Sequence, residues 1–329
     1  MEAYAELICP IGTDNGEAVT ANLKRMPHLL VAGGKEGEAR RYLYGILLSL
    51  IKDNSPEVLR LLVTHMPELC ADIPHLLADP ARDEEGAVNV FGWVTEEVDR
   101  RYARLTEAGV RNIDEYNRSS EEKLPYILCV AGKLEELPSS AKEKAAITAA
   151  KARAAGIYLA VASEKADAKT VCGLIKANIP TRIALKTATK TESRVILDAY
   201  GAETLEENEL IYSPIAAKPA VLKFEPVSDE AAREITENAK KLPAPERIIP
   251  HEKTDEEKML YRALELAIET GGVTTALLQR RFGISYAKAA RLTEEMEAAG
   301  YVGEYEGPKP RAVYITREQL EEIKNSNGN

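Results

Sequence analysis

The chain has 329 residues, of which 45% are hydrophobic, and its 43 Lys and Arg against 53 Asp and Glu give a formal net charge of −10. This composition allows a main core and one smaller domain, and the acidic balance argues against a protein coated by nucleic acid over its whole surface, though not against a local basic patch. No apolar run approaches the roughly 20 residues that span a bilayer, and the amino terminus has no signal-peptide pattern, so we expect a cytoplasmic protein with no membrane segment in this chain.

Between residues 28 and 225, short apolar runs alternate with helical segments. Such runs, uninterrupted by alternating polar residues, are typical of strands buried on both faces of a mostly parallel sheet. Strands that alternate with helices predict an α/β fold, whose working residues lie at the carboxyl ends of the strands. The predicted strands are 28–32, 60–65, 126–131, 157–162, 182–187, 209–212 and 220–224.

Isolated cysteines, histidines and carboxylates give no catalytic or metal-binding pattern. The cysteines (Cys9, Cys70, Cys129 and Cys172) form no CxxC pair and lie at no ligand spacing from a histidine, so we expect buried reduced thiols and no metal site. His28 and His75 each follow a proline and begin an apolar run, which favours packing at a strand entry. Glu135 and Glu136 are interpreted as a helix surface.

After the last predicted strand the composition changes. The stretch "KKLPAPERIIPHEKTDEE" combines three prolines with dense charge, as linkers do. We therefore assign residues 1–228 to the α/β domain, 229–254 to a linker, 255–324 to a second domain and 325–329 to a disordered tail. The second domain has three helical segments, the third beginning at a Ser285 cap and ending at Gly300, then two β runs around a Gly-Pro turn. Three helices followed by a hairpin predict a winged helix.

Long strings of the sequence resemble one family. They include "MPHLLVAG", "RRYARLTEAGVRNIDEYN", "LPYILCV", "GLIKANIPTRIALK" and "LLQRRFGISYAKAARLTEEMEAAGYVGEYEGPKPR". In this order they resemble the motor region of the FtsK/SpoIIIE DNA translocases. The resemblance implies a RecA-like P-loop NTPase fold with a carboxyl-terminal winged helix, ATP and Mg²⁺ as cofactors, and double-stranded DNA as partner. It also implies a ring, either of this chain alone or with a competent translocase.

The nucleotide loop departs from the family at the residues that hold ATP. The stretch "HLLVAGGKEGEARRYLYGILLSL" is built as strand, loop and helix, and Gly33, Gly34 and Gly37 keep its turn. In P-loop ATPases a lysine neutralises the phosphates and a hydroxyl holds Mg²⁺. Laid on that pattern, Ala39 replaces the lysine and Arg40 the hydroxyl residue, so the Walker A motif is degenerate.

The Walker B strand departs in the same way. "YILCVA" ends in Gly132 and Lys133, where the resemblance calls for a metal-binding aspartate and a catalytic glutamate. A protonated lysine cannot accept a proton. Three further segments also differ from the family, "THMPEL", "ASEKA" and "LEENEL". The sequence therefore predicts no catalytic residue, no tightly held ATP or Mg²⁺, and a pseudo-ATPase.

The winged helix retains basic residues where such domains meet DNA. The third helix enters the major groove and the hairpin follows the backbone, and Arg, Lys and Tyr side chains suit both surfaces. Ala287 and Lys288 replace an asparagine and an arginine of the family, which weakens base reading, and several acids lie nearby. The predicted DNA-binding residues are Arg280, Arg281, Tyr286, Lys288, Arg291, Lys309 and Arg311, and the nearby acids are Glu294, Glu295, Glu297, Glu304 and Glu306.

Three hypotheses remain open on the sequence. The first is a catalytically inactive FtsK/SpoIIIE-like module that binds duplex DNA. The second is an active ATP-dependent translocase, in chromosome segregation or cell division, with a rearranged site. The third is a protein-interaction module that does not bind DNA.

Overall fold

The computed structural model describes residues 5–69, 72–215, 217–245, 247, 255–305, 307 and 309–320, with the backbone alone for 255–258. The chain divides into two compact units, Met1–Arg247 and Ile248–Asn329, and each is described by itself. Cys70, His251, Glu306 and the predicted tail lie outside the described residues.

The first unit contains a nine-stranded sheet in the order β2-β1-β9-β8-β7-β3-β6-β5-β4. The block from β7 to β4 is parallel, and the other four strands extend it in antiparallel pairs. The strands are β1 Ile8–Asp14, β2 Glu17–Asn22, β3 His28–Ala32, β4 Leu59–Thr64, β5 Tyr126–Ala131, β6 Ile157–Ser163, β7 Thr181–Leu185, β8 Glu209–Ser213 and β9 Ala220–Lys223. All seven predicted strands are present to within two residues at either end. The α/β fold is therefore confirmed.

Strands β1 and β2 were not predicted. In β1 buried and exposed residues alternate up to Ile11, and β2 is largely exposed. Neither strand forms the unbroken apolar run that marks a strand covered on both faces, because they lie at the open end of the sheet.

Seven α-helices accompany the sheet in the described part of the first unit. Helix α1 presents an apolar stripe that includes Leu43, Leu47 and Leu50, which are buried against β1, β3 and β6. Helix α6 begins in a capping box formed by Thr189 and Glu192. The helices are α1 Glu38–Asp53, α2 Glu84–Glu107, α3 Ile113–Ser119, α4 Ser139–Ala152, α5 Gly173–Asn178, α6 Lys190–Leu197 and α7 Asp229–Lys240.

Helix α7 corrects the predicted linker. Residues 229–240 were assigned to the linker, but they form a helix that Ser228 caps and that packs on α1. Ala232, Thr236 and Ala239 are its buried side. The rest of the helix is mainly charged and exposed, which gave the segment the composition of a linker.

The outer edge of β4 is covered by residues 75–81. Leu61 donates its N–H to the His75 carbonyl at 2.7 Å, and His65 donates to the Ala81 carbonyl at 2.8 Å. This segment provides hydrogen-bond partners for the outer edge of β4. These hydrogen bonds also keep the end of β4 in place beside β5. His75 is buried in this segment rather than at the entry of a strand.

The second unit is built from helices α8 Asp255–Thr270, α9 Thr275–Phe282 and α10 Tyr286–Ala298. Thr274 caps α9 and Ser285 caps α10, as predicted for Ser285, and a left-handed Gly283 separates the two helices. Among the described residues the predicted hairpin is reduced to one isolated bridge, Val302 to Val313, and a second bridge joins Arg311 to Val273, which lies between α8 and α9. The arrangement is that of a small winged helix.

Among the described residues, no helix has the length and apolar character needed to cross a membrane.

Candidate functional sites

The loop between β3 and α1, residues 33–37, holds the candidate nucleotide site. Gly33, Gly34 and Gly37 have φ values of +91°, +87° and +78°. Residues with a Cβ rarely adopt this left-handed region, so the backbone path requires these glycines. Gly37 lies at the amino end of α1, where a helix favours negative charge.

Four backbone N–H groups of this loop already have acceptors within the protein. In a phosphate-binding loop such groups face the phosphate oxygens. Here two acceptors are carbonyls from the ends of β6 and β7, and two are glutamate carboxylates. The pairs are Gly33 N to Ser163 O at 3.1 Å, Gly34 N to Lys186 O at 2.9 Å, Lys35 N to Glu38 Oε2 at 2.8 Å, and Gly37 N to Glu164 Oε1 at 2.8 Å.

Neither of the two helix residues that replace the lysine and the hydroxyl offers an unpaired group to a nucleotide. Ala39 is fully buried in the core. Arg40 donates through Nε to Glu68 Oε1 at 2.7 Å, and its Nη1 lies 3.9 Å from Glu164 Oε1. The positive charge of Arg40 is therefore neutralised by two carboxylates of the protein.

At the end of β5, Gly132 has no room for a side chain. A Cβ there would lie 2.3 Å from the His65 carbonyl oxygen and 2.9 Å from the His65 carbonyl carbon. The cause is the pairing of the two strand ends, since Gly132 also donates its N–H to Thr64 O at 2.8 Å. A metal-binding side chain at this position would require the backbone of β4 to move.

Lys133, the next residue, is held by Glu136. Its Nζ donates to Glu136 Oε1 at 2.6 Å. This hydrogen bond raises the pKa of Lys133 and lowers that of Glu136. The lysine therefore stays protonated, which excludes it as a general base.

Four residues that contact the remnant nucleotide site were not predicted from the sequence as part of it. Glu68, Glu164 and His65 follow buried strands, and Glu135 lies on a short 3₁₀ helix, Leu134–Glu136, after β5. Glu135 accepts from Ser163 Oγ at 2.9 Å and from the Glu164 N–H at 3.3 Å, so it is not a plain helix surface. Their positions just beyond the carboxyl ends of parallel strands were the available signal.

A small cavity lies beside this network. It measures about 210 Å³, and its lining includes Arg40, His65, Lys133 and Glu136. Ligand pockets usually measure about 300–1,000 Å³, so this space is small for a nucleotide. Burial lowers the pKa of His65, whose side chain is 4% exposed. Among the described residues, no cluster of His, Cys, Asp and Glu is arranged to hold a metal ion.

The candidate DNA-binding surface lies on the second unit. Arg280 and Arg281 are exposed at the end of α9, and Tyr286 and Lys288 are exposed at the start of α10. Arg291 is exposed further along α10, and Lys309 is exposed after the third helix. The amino end of α10, with the end of α9, therefore presents a basic surface.

Arg311 was predicted to contact DNA, but its side chain is only 9% exposed. Its Nη1 donates to Thr293 O at 2.8 Å and to Glu297 Oε2 at 2.7 Å, and its guanidinium lies 5.8 Å from the centre of the Tyr305 ring. Arg311 therefore ties the wing to α10. Because the charge of Arg311 is already paired with the half-buried Glu297 carboxylate, the structure does not favour a phosphate contact at this residue.

Comparison with known proteins agrees with both units. The model of the FtsK/SpoIIIE family matches residues 2–124, and that of the Ftsk gamma domain matches residues 254–316. DNA translocase SftA of Bacillus subtilis is 36% identical over 95% of this chain, and DNA translocase SpoIIIE of the same organism is 34% identical over 97%. DNA translocase FtsK of Caldanaerobacter subterraneus is 33% identical over 97%.

The chain belongs to the FtsK/SpoIIIE family. It spans 36%, 44% and 48% of the length of these three relatives, in the order named. The gamma-domain match covers α8 to α10 and the wing, so the winged helix of this FtsK/SpoIIIE chain corresponds to the gamma domain.

Solved structures agree with this chain in fold. The pCW3 conjugation coupling protein TcpA, in its monomer form with ATPgS, has a TM-score of 0.62 at 22% identity, covering 71% of each chain. The cytoplasmic domain of the Type VII secretion ATPase EccC of Thermomonospora curvata has the same TM-score and identity, covering 74% of this chain and 32% of its own. At this identity the likeness establishes the P-loop ATPase fold of the FtsK/SpoIIIE chain.

Proposed function

We propose that this chain is an FtsK/SpoIIIE-type DNA translocase module that does not hydrolyse ATP and that binds double-stranded DNA through its winged helix. The observation that carries the proposal is the contact at Gly132. A Cβ there would lie 2.3 Å from the His65 carbonyl oxygen, at the strand end where the family resemblance calls for a metal-binding carboxylate. Without that carboxylate, the described residues offer no cluster of metal ligands at this strand end.

The neighbouring residues strengthen this proposal. Losing a positioned general base lowers a rate by about 10²- to 10⁴-fold, and Lys133 cannot replace one. The loss of phosphate stabilisation adds a penalty on the order of several kcal/mol, because Arg40 is already paired with Glu68 and Glu164. Together these losses take hydrolysis close to the uncatalysed rate.

DNA binding is proposed from the second unit and from the relatives. Arg280, Arg281 and Lys288 are exposed on adjoining helix ends, and cations there suit phosphate contacts. The relatives named above are DNA translocases. We propose that the chain acts in the cytoplasm. It would act there either as a homo-oligomer or in a ring with a competent translocase that generates the force.

The test is to measure ATP binding by calorimetry and phosphate release in one preparation, with and without duplex DNA. B. subtilis SpoIIIE serves as the active control. We expect no phosphate release above a protein-free blank, with DNA or without it. Turnover that duplex DNA stimulates would contradict the proposal in favour of an active translocase.

Duplex DNA binding is measured separately at low salt, where phosphate contacts are strongest. A chain that neither hydrolyses ATP nor binds DNA under those conditions would be a protein-interaction module.

A further inference from the structure

A glutamate from the end of β6 lies where an anion would bind the loop. Glu164 directly follows β6, and its Oε1 accepts the Gly37 N–H at 2.8 Å. The same oxygen lies 3.9 Å from Arg40 Nη1, and the side chain is 21% exposed. The carboxylate therefore meets both an N–H at the amino end of α1 and a cation of that helix, the two features that attract a phosphate.

The structure holds Glu164 in this position from behind. Its own N–H donates to Glu135 Oε1 at 3.3 Å, and Ser163 Oγ donates to Glu135 Oε2 at 2.9 Å. Glu135 belongs to the short 3₁₀ helix after β5. Three elements, namely the loop after β3, the end of β6 and the segment after β5, are thus joined through two carboxylates.

We propose that the Glu164 carboxylate occupies the anion-binding position of this loop and thereby prevents external phosphate from binding there. A side chain tethered beside its partners acts at an effective concentration in the millimolar range or above, so free phosphate competes poorly. Removing the carboxylate frees the Gly37 N–H and one side of Arg40, and the loop becomes a site for inorganic phosphate or pyrophosphate. The contact is autoinhibitory in this sense.

Glu68 provides a matched control for the charge of Arg40. It accepts from Arg40 Nε at 2.7 Å, whereas the Gly37 N–H is bound by Glu164. Replacing Glu68 therefore releases Arg40 while leaving Glu164 on the loop. Glu36, an exposed carboxylate of the same loop, controls for the loss of one negative charge nearby.

The experiment titrates pyrophosphate into the full chain by calorimetry, at an ionic strength held constant with chloride. We expect Glu164→Ala to bind pyrophosphate at least about tenfold more tightly than the wild type. Glu164→Gln keeps an oxygen for Gly37 and should gain less, and Glu68→Gln and Glu36→Gln should gain least. If Glu164→Ala does not fold, a gain in Glu164→Gln over the two controls decides in favour.

Equal binding by the wild type and Glu164→Ala overturns the inference, as does no gain in either Glu164 variant. A gain as large in Glu68→Gln overturns it too, because release of Arg40 would then be sufficient. The inference rests on the proposed absence of hydrolysis, but the titration measures binding without turnover. Its failure would leave that absence untouched, whereas ATP turnover by the wild type would refute the absence itself.

Discussion

At Gly132 the backbone of a neighbouring strand decides which residue can be present. The His65 carbonyl approaches so closely that only hydrogen fits, and His65 itself has a φ of +53°. Residues other than glycine rarely adopt such a φ value. The end of β4 therefore has an unusual backbone at the point where it closes over β5.

This contact predicts a loss of stability for Gly132→Ala. The added methyl must displace backbone rather than a flexible side chain, so we expect the free energy of unfolding to fall by about 1–3 kcal/mol, as in other overpacked interiors. Urea denaturation checks this. Gly173→Ala is the matched control, because nothing lies within 4 Å of a Cβ there, and it should change stability by less than about 0.5 kcal/mol. Equal stability of the two variants would contradict the contact.

At the scale of elements, the winged helix separates its charges by position. Basic residues lie at the end of α9 and the start of α10, whereas Glu294 and Glu295 are exposed on the second half of α10 and Glu304 is exposed just beyond it. Glu297 is bound to Arg311. We therefore predict that the proposed DNA contact involves the end of α9 and the first half of α10, and not the acidic second half of α10.

Replacing Arg280 and Arg281 together by Ala should weaken duplex binding without changing thermal stability. Each phosphate contact contributes about 0.9 to the slope of log K against log salt, so losing two contacts should lower that slope by about 2. Fluorescence anisotropy at several salt concentrations measures both quantities, with Arg317→Ala as the control. An unchanged slope would remove these residues from the interface. Arg311 lies outside this test because its side chain is buried.

For the molecule as a whole, buried neutral histidines make the stability of the first unit depend on pH. His28, His65 and His75 are buried, and burial lowers the pKa of each. The pKa of His28 falls to about 4 from 6.5, and its Nδ1 accepts the Leu159 N–H at 3.1 Å. An unfolded chain takes up these protons from pH 6.5 downward, whereas the folded chain does not.

The sign of the pH dependence follows from this difference. A histidine whose folded pKa is lowered contributes stability in full above pH 6.5, and that stability is lost as the pH falls toward the folded pKa. For His28 the loss between pH 6.5 and 4 should amount to about 3 kcal/mol. His28→Asn keeps an acceptor but does not titrate, so its free energy of unfolding should fall less steeply over this range. Trp93, the one tryptophan, lies in α2 and reports this unfolding by fluorescence. If the free energy of unfolding fell equally steeply with pH in the variant and the wild type, His28 would not be the source of the pH dependence.

Much of the fold was accessible from local patterns. The positions of the seven predicted strands, the Ser285 cap of the winged helix and the family itself were predicted from the sequence and are confirmed. The linker was wrong at residues 229–240, because the many charged residues exposed on this helix give the segment the composition of a linker. All predicted DNA-binding residues stay predictions, and the pairing of Arg311 with Glu297 could not be read locally because the two lie 14 residues apart.

By itself, the amino-acid sequence determined where apolar runs, turns and caps lie, since these depend on residues a few positions apart, and it determined which side chains are missing from the family pattern. Only the tertiary structure decided where the remaining charges go. Gly37 and Glu164 are 127 positions apart, and the approach of His65 to Gly132 depends on the pairing of β4 with β5. The physical reason is that burial is encoded by local periodicity, whereas the partner of a charge is selected by the folding of distant segments to one edge of the sheet.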